Sequence, residues 1–193
     1  MKNLKDYKII LGSGSPRRRD LLAGLGFEFE VKNINIDESF PSELSGEEIP
    51  VFLAEKKSQA FELQNNELLI TADTVVLLGK KVIGKPTDLA DAKLILRNLS
   101  GKIHKVVSGV CLRTNTTKRT FSQTTSVKFA RLTAAEIDFY SENYRPLDKA
   151  GAYGIQEWIG FAAVEWIYGS FYNIMGLPVQ QLYKELKNFS CQK

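Results

Sequence analysis

Lys8-Ile9-Ile10-Leu11-Gly12-Ser13-Gly14-Ser15-Pro16-Arg17-Arg18-Arg19-Asp20-Leu21-Leu22 is the stretch that sets the fold class. An aliphatic run, a loop of glycine and serine, and a proline at the first helical position with Ser15 before it as N-cap read as strand, tight turn and helix. The apolar run over 7–13 is continuous rather than alternating, as expected of a central strand covered on both faces. A helix N-terminus offers unsatisfied N–H groups and partial positive charge, and arginines in its first turn oppose the dipole unless an anion sits there. The expected ligand is a phosphate, set against the plainer reading of a basic, solvated helix start.

Working outward, the helix from Pro16 places Leu21, Leu22 and Leu25 on one side and stops among Gly24 to Gly26, where glycine can take a left-handed cap. A second strand is expected over 28–34, followed by an irregular loop that holds Asp37 and Glu38. Ser45 and Glu48 form a capping box that opens a helix to about residue 63, with Pro50 tolerated near its first turn. Ile49, Phe52, Leu53, Ala60 and Leu63 make its buried stripe, and Lys57 lies on that stripe. Its ammonium is carried toward the interior, unless the side chain snorkels to the edge.

A strand over 68–71 is expected to end at Ala72-Asp73-Thr74, followed by a hairpin of 75–78 and 81–83 about Gly79-Lys80. Asp73 interrupts an apolar run. A carboxylate there either finds a partner in the core or faces a site, since burying it unsatisfied is costly, and the site is the reading favoured here. Gly84-Lys85-Pro86 then fixes a lysine between a glycine and a proline. Further on come a helix over 87–99, paired strands over 103–114 and 118–130, and a helix to residue 144 opened by the Thr133 and Glu136 capping box. The small-residue segment 146–156 is of the kind that approaches ligands closely. A strand over 161–168 and a helix from Pro178, with Val179, Leu182, Tyr183 and Leu186 inward, close the chain. Without repeats or linkers this reads as one α/β domain over 1–193, with a mixed, twisted sheet flanked by helices.

Composition bounds the function. At 193 residues, with 44% hydrophobic and 25% charged residues, the chain can bury a full core. A net charge of +4, with acids and bases interspersed, suits a small polyanion better than a long nucleic-acid track. Cys111 and Cys191 fit neither a metal knuckle nor a CxxC pair and point to free thiols in a reducing compartment. With no signal-peptide core and no run long enough to span a membrane, a cytoplasmic protein is expected.

Several chemistries drop out. His104 is the only histidine, which rules out a His-rich zinc site and leaves any His-based triad resting on one strand residue, read here as structural. The loop 12–17 has arginine where a dinucleotide fingerprint needs its third glycine, and no GxxxxGK[ST] occurs. What remains is Arg17, Arg18, Lys57 and Lys85 as phosphate-seeking cations, with Glu38 and Asp73 as carboxylates. Oxygen ligands of this kind suit a hard divalent ion, Mg²⁺ with Mn²⁺ as the alternative, and point to phosphoanhydride hydrolysis. The rival reading, a non-catalytic nucleic-acid-binding domain, lacks aromatics interleaved with the basic run.

Taken in order, Ser13-Gly14-Ser15-Pro16-Arg17-Arg18, Asp37-Glu38, Ala54-Glu55-Lys56-Lys57, Ala72-Asp73-Thr74, Gly84-Lys85-Pro86, the segment from Asp148 to Gln156, and Gly176-Leu177-Pro178 resemble the Maf family of nucleoside triphosphate pyrophosphatases over nearly the whole chain. The resemblance implies a two-lobed α/β fold similar to inosine triphosphate pyrophosphatases, a divalent metal, and cleavage between the α and β phosphates of a bound nucleoside triphosphate. It matches Asp73 to the catalytic base, Arg17, Thr74 and Gln156 to substrate choice, and Ser13, Glu38, Lys57 and Lys85 to other active-site positions; Glu38 and Asp73 are expected to be the metal ligands on the chemistry of their carboxylates. The Ala150-Gly151-Ala152-Tyr153-Gly154-Ile155-Gln156 segment is similar to the branch acting on dTTP and UTP rather than the one acting on 7-methyl-GTP. Glu157-Trp158 departs from the glycine usual after that segment, which bears on the base pocket. A homodimer is left open.

Overall fold

The structure, a computed structural model, describes Leu4 and residues 7–189, so Cys191 lies outside the described residues. Among the described residues, seven strands form one mixed sheet: β1 (Lys8–Leu11), β2 (Glu30–Val31), β3 (Glu67–Leu78), β4 (Lys81–Ile83), β5 (Ile103–Arg113), β6 (Lys118–Phe129) and β7 (Val164–Tyr168). The strand order is β2-β1-β3-β5-β6-β7, with β4 paired to β3. β1 runs parallel to both its neighbours, whereas the β3–β4 and β6–β7 pairs are antiparallel. The helices are α1 (Pro16–Ala23), α2 (Ile49–Gln59), α3 (Leu89–Leu99), α4 (Ala134–Tyr144), α5 (Trp158–Ala163), α6 (Phe171–Ile174) and α7 (Val179–Lys187). None among the described residues is long and apolar enough to cross a membrane.

The mixed α/β class and the strand–turn–helix opening stand as expected, and four boundaries are corrected. First, β3 does not end at Ala72-Asp73-Thr74 but runs unbroken for 12 residues, because no turn former interrupts it and the acid finds a partner. Second, Ser45 and Glu48 do meet, with Ser45 N–H and Oγ both donating to Glu48 Oε2 at 2.9 and 2.7 Å, but the Glu48 N–H goes to the Ser45 carbonyl, so the pair closes a turn ahead of α2 and does not make the expected capping box; the N-cap of α2 is Glu48, without a side-chain cap. The regular helix starts at Ile49, with Pro50 in its first turn, where a missing N–H costs nothing, and it ends at Gln59. Third, the expected strand over 161–168 is helical through Ala163. Ile159 and Ala163 are buried four residues apart, a helical spacing, while Phe161 between them is 86% exposed. Fourth, β2 holds only two residues, set by its short register against Ile10 and Leu11. Tyr183 also faces outward, 42% exposed, while Val179, Leu182 and Leu186 form the buried stripe of α7.

The chain divides into two compact units. The first comprises residues 1–73, 108–123 and 176–193, and its core gathers Ile9 and Leu11 of β1, Leu22 of α1, Leu68 and Ile70 of β3, and Leu182 and Leu186 of α7. The second comprises residues 74–107 and 124–175, and its core gathers Val76, Leu96, Val106, Phe129, Ile137, Tyr140 and Tyr153. Within it His104 is buried edge-on to Phe129 and Tyr153, and its Nε2 lies 2.8 Å from the Tyr153 hydroxyl. Burial alone pushes the imidazole down to about 4, so it stays neutral and structural.

Candidate active site

The first unit assembles a charged group around one lysine. Lys57 Nζ donates to Asp73 Oδ1 at 2.6 Å and pairs with Glu38 Oε1 at 2.8 Å. Lys57 and Asp73 are only 8% and 9% exposed, whereas Glu38 comes from an exposed loop. The ammonium is therefore delivered inward, to a carboxylate, and does not snorkel. Lys57 holds Oδ1 of Asp73, not Oδ2. The loop that carries Glu38 is tied beside it by Lys56, whose Nζ donates to the Ser39 carbonyl at 3.0 Å.

Three contacts fix α2 so that Lys57, in its last turn, meets Asp73. Thr71 Oγ1, two residues before Asp73 and on the same face of the strand, donates to the Ala54 carbonyl at 2.6 Å. A Cβ on Gly109 would lie 2.3 Å from the backbone of Pro50 and Val51, so glycine lets the first turn of α2 rest directly on β5. Arg113 at the end of β5 donates from Nε to Ser58 Oγ at 2.8 Å and from Nη2 to the carbonyls of Ser58 and Phe61. Lysines in a last turn also suit the negative end of the helix dipole.

The turn between β1 and α1 is held by Arg18. Its Nε donates to the Gly176 carbonyl at 2.8 Å, and its Nη1 donates to the Ala72 carbonyl at 2.8 Å and to Ser13 Oγ at 3.3 Å. Desolvation pushes this guanidinium below its ordinary value, with Asp73 opposing the shift. An arginine nevertheless remains charged. Ser13 Oγ also accepts the Ser15 N–H at 3.3 Å, and Ser15 makes no side-chain cap of its own. Lys57 thus joins Glu38 to Asp73, and Arg18 joins Ser13 to the backbone of Ala72, the residue before Asp73, with Arg17 in the same helical turn as Arg18.

Thr74, Lys85 and Gln156 belong to the second unit. There the Gly151 N–H donates to the Gly84 carbonyl at 3.0 Å, which lays the segment carrying Lys85 along the loop that leads to Gln156. Gly151 has φ +73° and a Cβ there would strike Val76, so this close approach needs glycine twice over. Gln156 is half-buried, and its Oε1 is shielded without a hydrogen-bond partner among the described residues.

Reasoning from sequence missed Thr71, Gly109 and Arg113, which position α2, since nothing local distinguishes a strand threonine or glycine whose work is tertiary. It also missed Tyr140 and Lys149, both joined to Glu157. A lysine inside the small-residue segment 148–156 was the available sign.

A sequence model of the Maf-like protein family matches residues 8–189. A dTTP/UTP pyrophosphatase of Phocaeicola vulgatus is 53% identical over 190 residues, covering 97% of this chain and 98% of the relative. One of Porphyromonas gingivalis is 52% identical over 194 residues, covering 98% of each. Among solved structures, a HAM1 protein from Coxiella burnetii superposes with a TM-score of 0.51 at 15% identity, covering 95% of this chain and 100% of that one, a likeness of fold.

Proposed function

Because the chain belongs to the Maf-like family, we infer that it is a nucleoside triphosphate pyrophosphatase that hydrolyses dTTP and UTP to the monophosphate and pyrophosphate, the activity named in its relatives. One observation carries the chemical side of this reading: a lysine ammonium held between two carboxylates, Asp73 and Glu38, in the unit that also holds Arg17 and Arg18 in the first turn of α1. In the proposed reaction a water attacks the α-phosphorus and Asp73 takes its proton, using the oxygen that Lys57 leaves unoccupied. A P–O bond forms as the Pα–O bond to the β-phosphate breaks, and pyrophosphate leaves with the electron pair. Lys57, Arg17 and Lys85 stabilise charge on the phosphate oxygens. Arg18, occupied by backbone carbonyls, shapes the loop that receives them and adds charge at short range.

The donor set fits a divalent ion only in part. Asp73 and Glu38 supply hard oxygen ligands near one another, but no group of three His, Cys, Asp or Glu suited to a metal exists among the described residues. Mg²⁺ commonly takes one or two carboxylates and completes its shell with water and substrate phosphates, so these two residues would hold an ion that arrives with the nucleotide. When bound, such an ion supplies Lewis-acid neutralisation of the phosphate oxygens.

Base choice falls to Gln156, with Thr74 beside Asp73 in the sequence. A primary amide offers a donor and an acceptor that match the O4 and N3–H edge shared by uracil and thymine, whereas cytosine presents the reversed pattern. Pyrophosphate release measured over UTP, dTTP, CTP, ATP, GTP and 7-methyl-GTP tests the reading. UTP and dTTP should lead, and a lead by 7-methyl-GTP would move the protein to the other branch.

A further inference from the structure

We propose that Tyr140 and Glu157 are positioning residues for base selection, acting by closing the turn that carries Gln156. The proposal rests on the reading of Gln156 as the group that meets the base. Residues 154–157 form a tight turn in which the Glu157 N–H donates to the Gly154 carbonyl at 3.0 Å, with Ile155 and Gln156 at the corners. Ile155 is buried in the core of the second unit, which fixes one corner. The other corner is Gln156.

The fully buried Tyr140 of α4 sends its hydroxyl to both ends of this turn. It accepts the Gly154 N–H at 2.9 Å and donates to Glu157 Oε2. One oxygen therefore bridges the first and last residues. Glu157 Oε1 pairs with the Lys149 ammonium at 3.1 Å, and Lys149 is itself buried and bonded to Asp148. The Glu157 carboxylate folds across Gly154, where a Cβ would stand 2.7 Å from its carboxyl carbon, so closure also requires glycine at 154. The Tyr140 ring is stacked on Tyr144, with centroids 5.0 Å apart, and lies nearly parallel to Trp158 at 6.5 Å, which restrains the phenol. Desolvation first, and the bond to Glu157 second, push that phenol well above its ordinary value and keep it a donor.

The consequence concerns an atom that lacks a partner. Gln156 Oε1 is shielded and accepts no hydrogen bond among the described residues, a costly state unless a ligand donor completes it. An amide can flip, and uracil is told from cytosine only if the oxygen stays in one place. The closed turn fixes the backbone from which that amide projects.

Tyr140→Phe and Glu157→Gln test this, singly and combined with Gln156→Ala, by kcat and KM for UTP and CTP and by NMR exchange of the Gly154 amide. Each single variant should lower the UTP to CTP ratio of kcat/KM by about five- to tenfold, the worth of an ordinary hydrogen bond, chiefly through a higher KM for UTP. Tyr140→Phe should also speed exchange at Gly154, and neither change should alter the ratio further once Gln156 is alanine. If Tyr140→Phe does not fold, Glu157→Gln carries the test. An unchanged ratio in the folded variants, with Gln156→Ala lowering it, overturns the proposal and leaves the base reading intact. An equal drop in the Gln156→Ala background overturns it as well. If Gln156→Ala itself leaves the ratio unchanged, the base reading fails and the proposal with it.

Discussion

A lysine ammonium 2.6 Å from one carboxylate and 2.8 Å from another ties the stability of the first unit to its chemistry. Removing one member of a buried ion pair strands the other, at a cost of about 3 to 5 kcal/mol, so Lys57→Met should lower the unfolding free energy as well as kcat/KM. Urea unfolding checks the first effect, and a variant of wild-type stability would mean that solvent already screens the pair. His104 offers a separate test by pH. Its folded value of about 4 lies below the ordinary 6.5, so the unfolded chain takes up the proton first. The stability it contributes is full above pH 6.5, falls as the pH drops toward 4, and amounts to about 3 kcal/mol over that window. His104→Gln should flatten this slope between pH 6.5 and 4, and a slope equal to that of the wild type would assign it to other groups.

At the scale of elements, the placement of α2 decides whether Lys57 reaches Asp73. Gly109→Ala would drive a Cβ into the backbone of Pro50 and Val51 at 2.3 Å, an overpacking that costs about 1 to 3 kcal/mol. Displacement of the helix should also reduce kcat, and a variant with normal melting and normal kcat would show that α2 is not seated as described. This scale also shows what could be read in advance. The opening strand–turn–helix, the Gly79-Lys80 hairpin and the Thr133 capping box were legible, because each is written in neighbouring residues. The continuity of β3 was not, because an acid in mid-strand reads as a break until its partner, 16 residues away, is known. The helical start at Trp158 was hidden for a related reason: its aromatic residues favour strands, and the helical burial of Ile159 and Ala163 is a tertiary fact.

For the molecule as a whole, family membership and the charged group lead to one reaction, and the site residues that sequence singled out divide between the two units. Ser13, Arg17, Arg18, Glu38, Lys57 and Asp73 lie in the first, and Thr74, Lys85 and Gln156 in the second. Their order along the chain was legible through the resemblance, whereas the ion pair that joins Lys57 to Asp73 needed coordinates. Since no three-ligand metal group exists among the described residues, chelation should abolish turnover without shifting the melting temperature, and a large shift would point to a structural ion. Asp73 is proposed to serve cleavage between the α and β phosphates. Separation and quantification of products from UTP with Mg²⁺, for the wild type and a folded Asp73→Asn variant, tests it most directly. The account predicts UMP and pyrophosphate in equal amounts, with a loss of about a hundredfold or more in the variant. UDP and inorganic phosphate as products, or near wild-type turnover by Asp73→Asn, would contradict it.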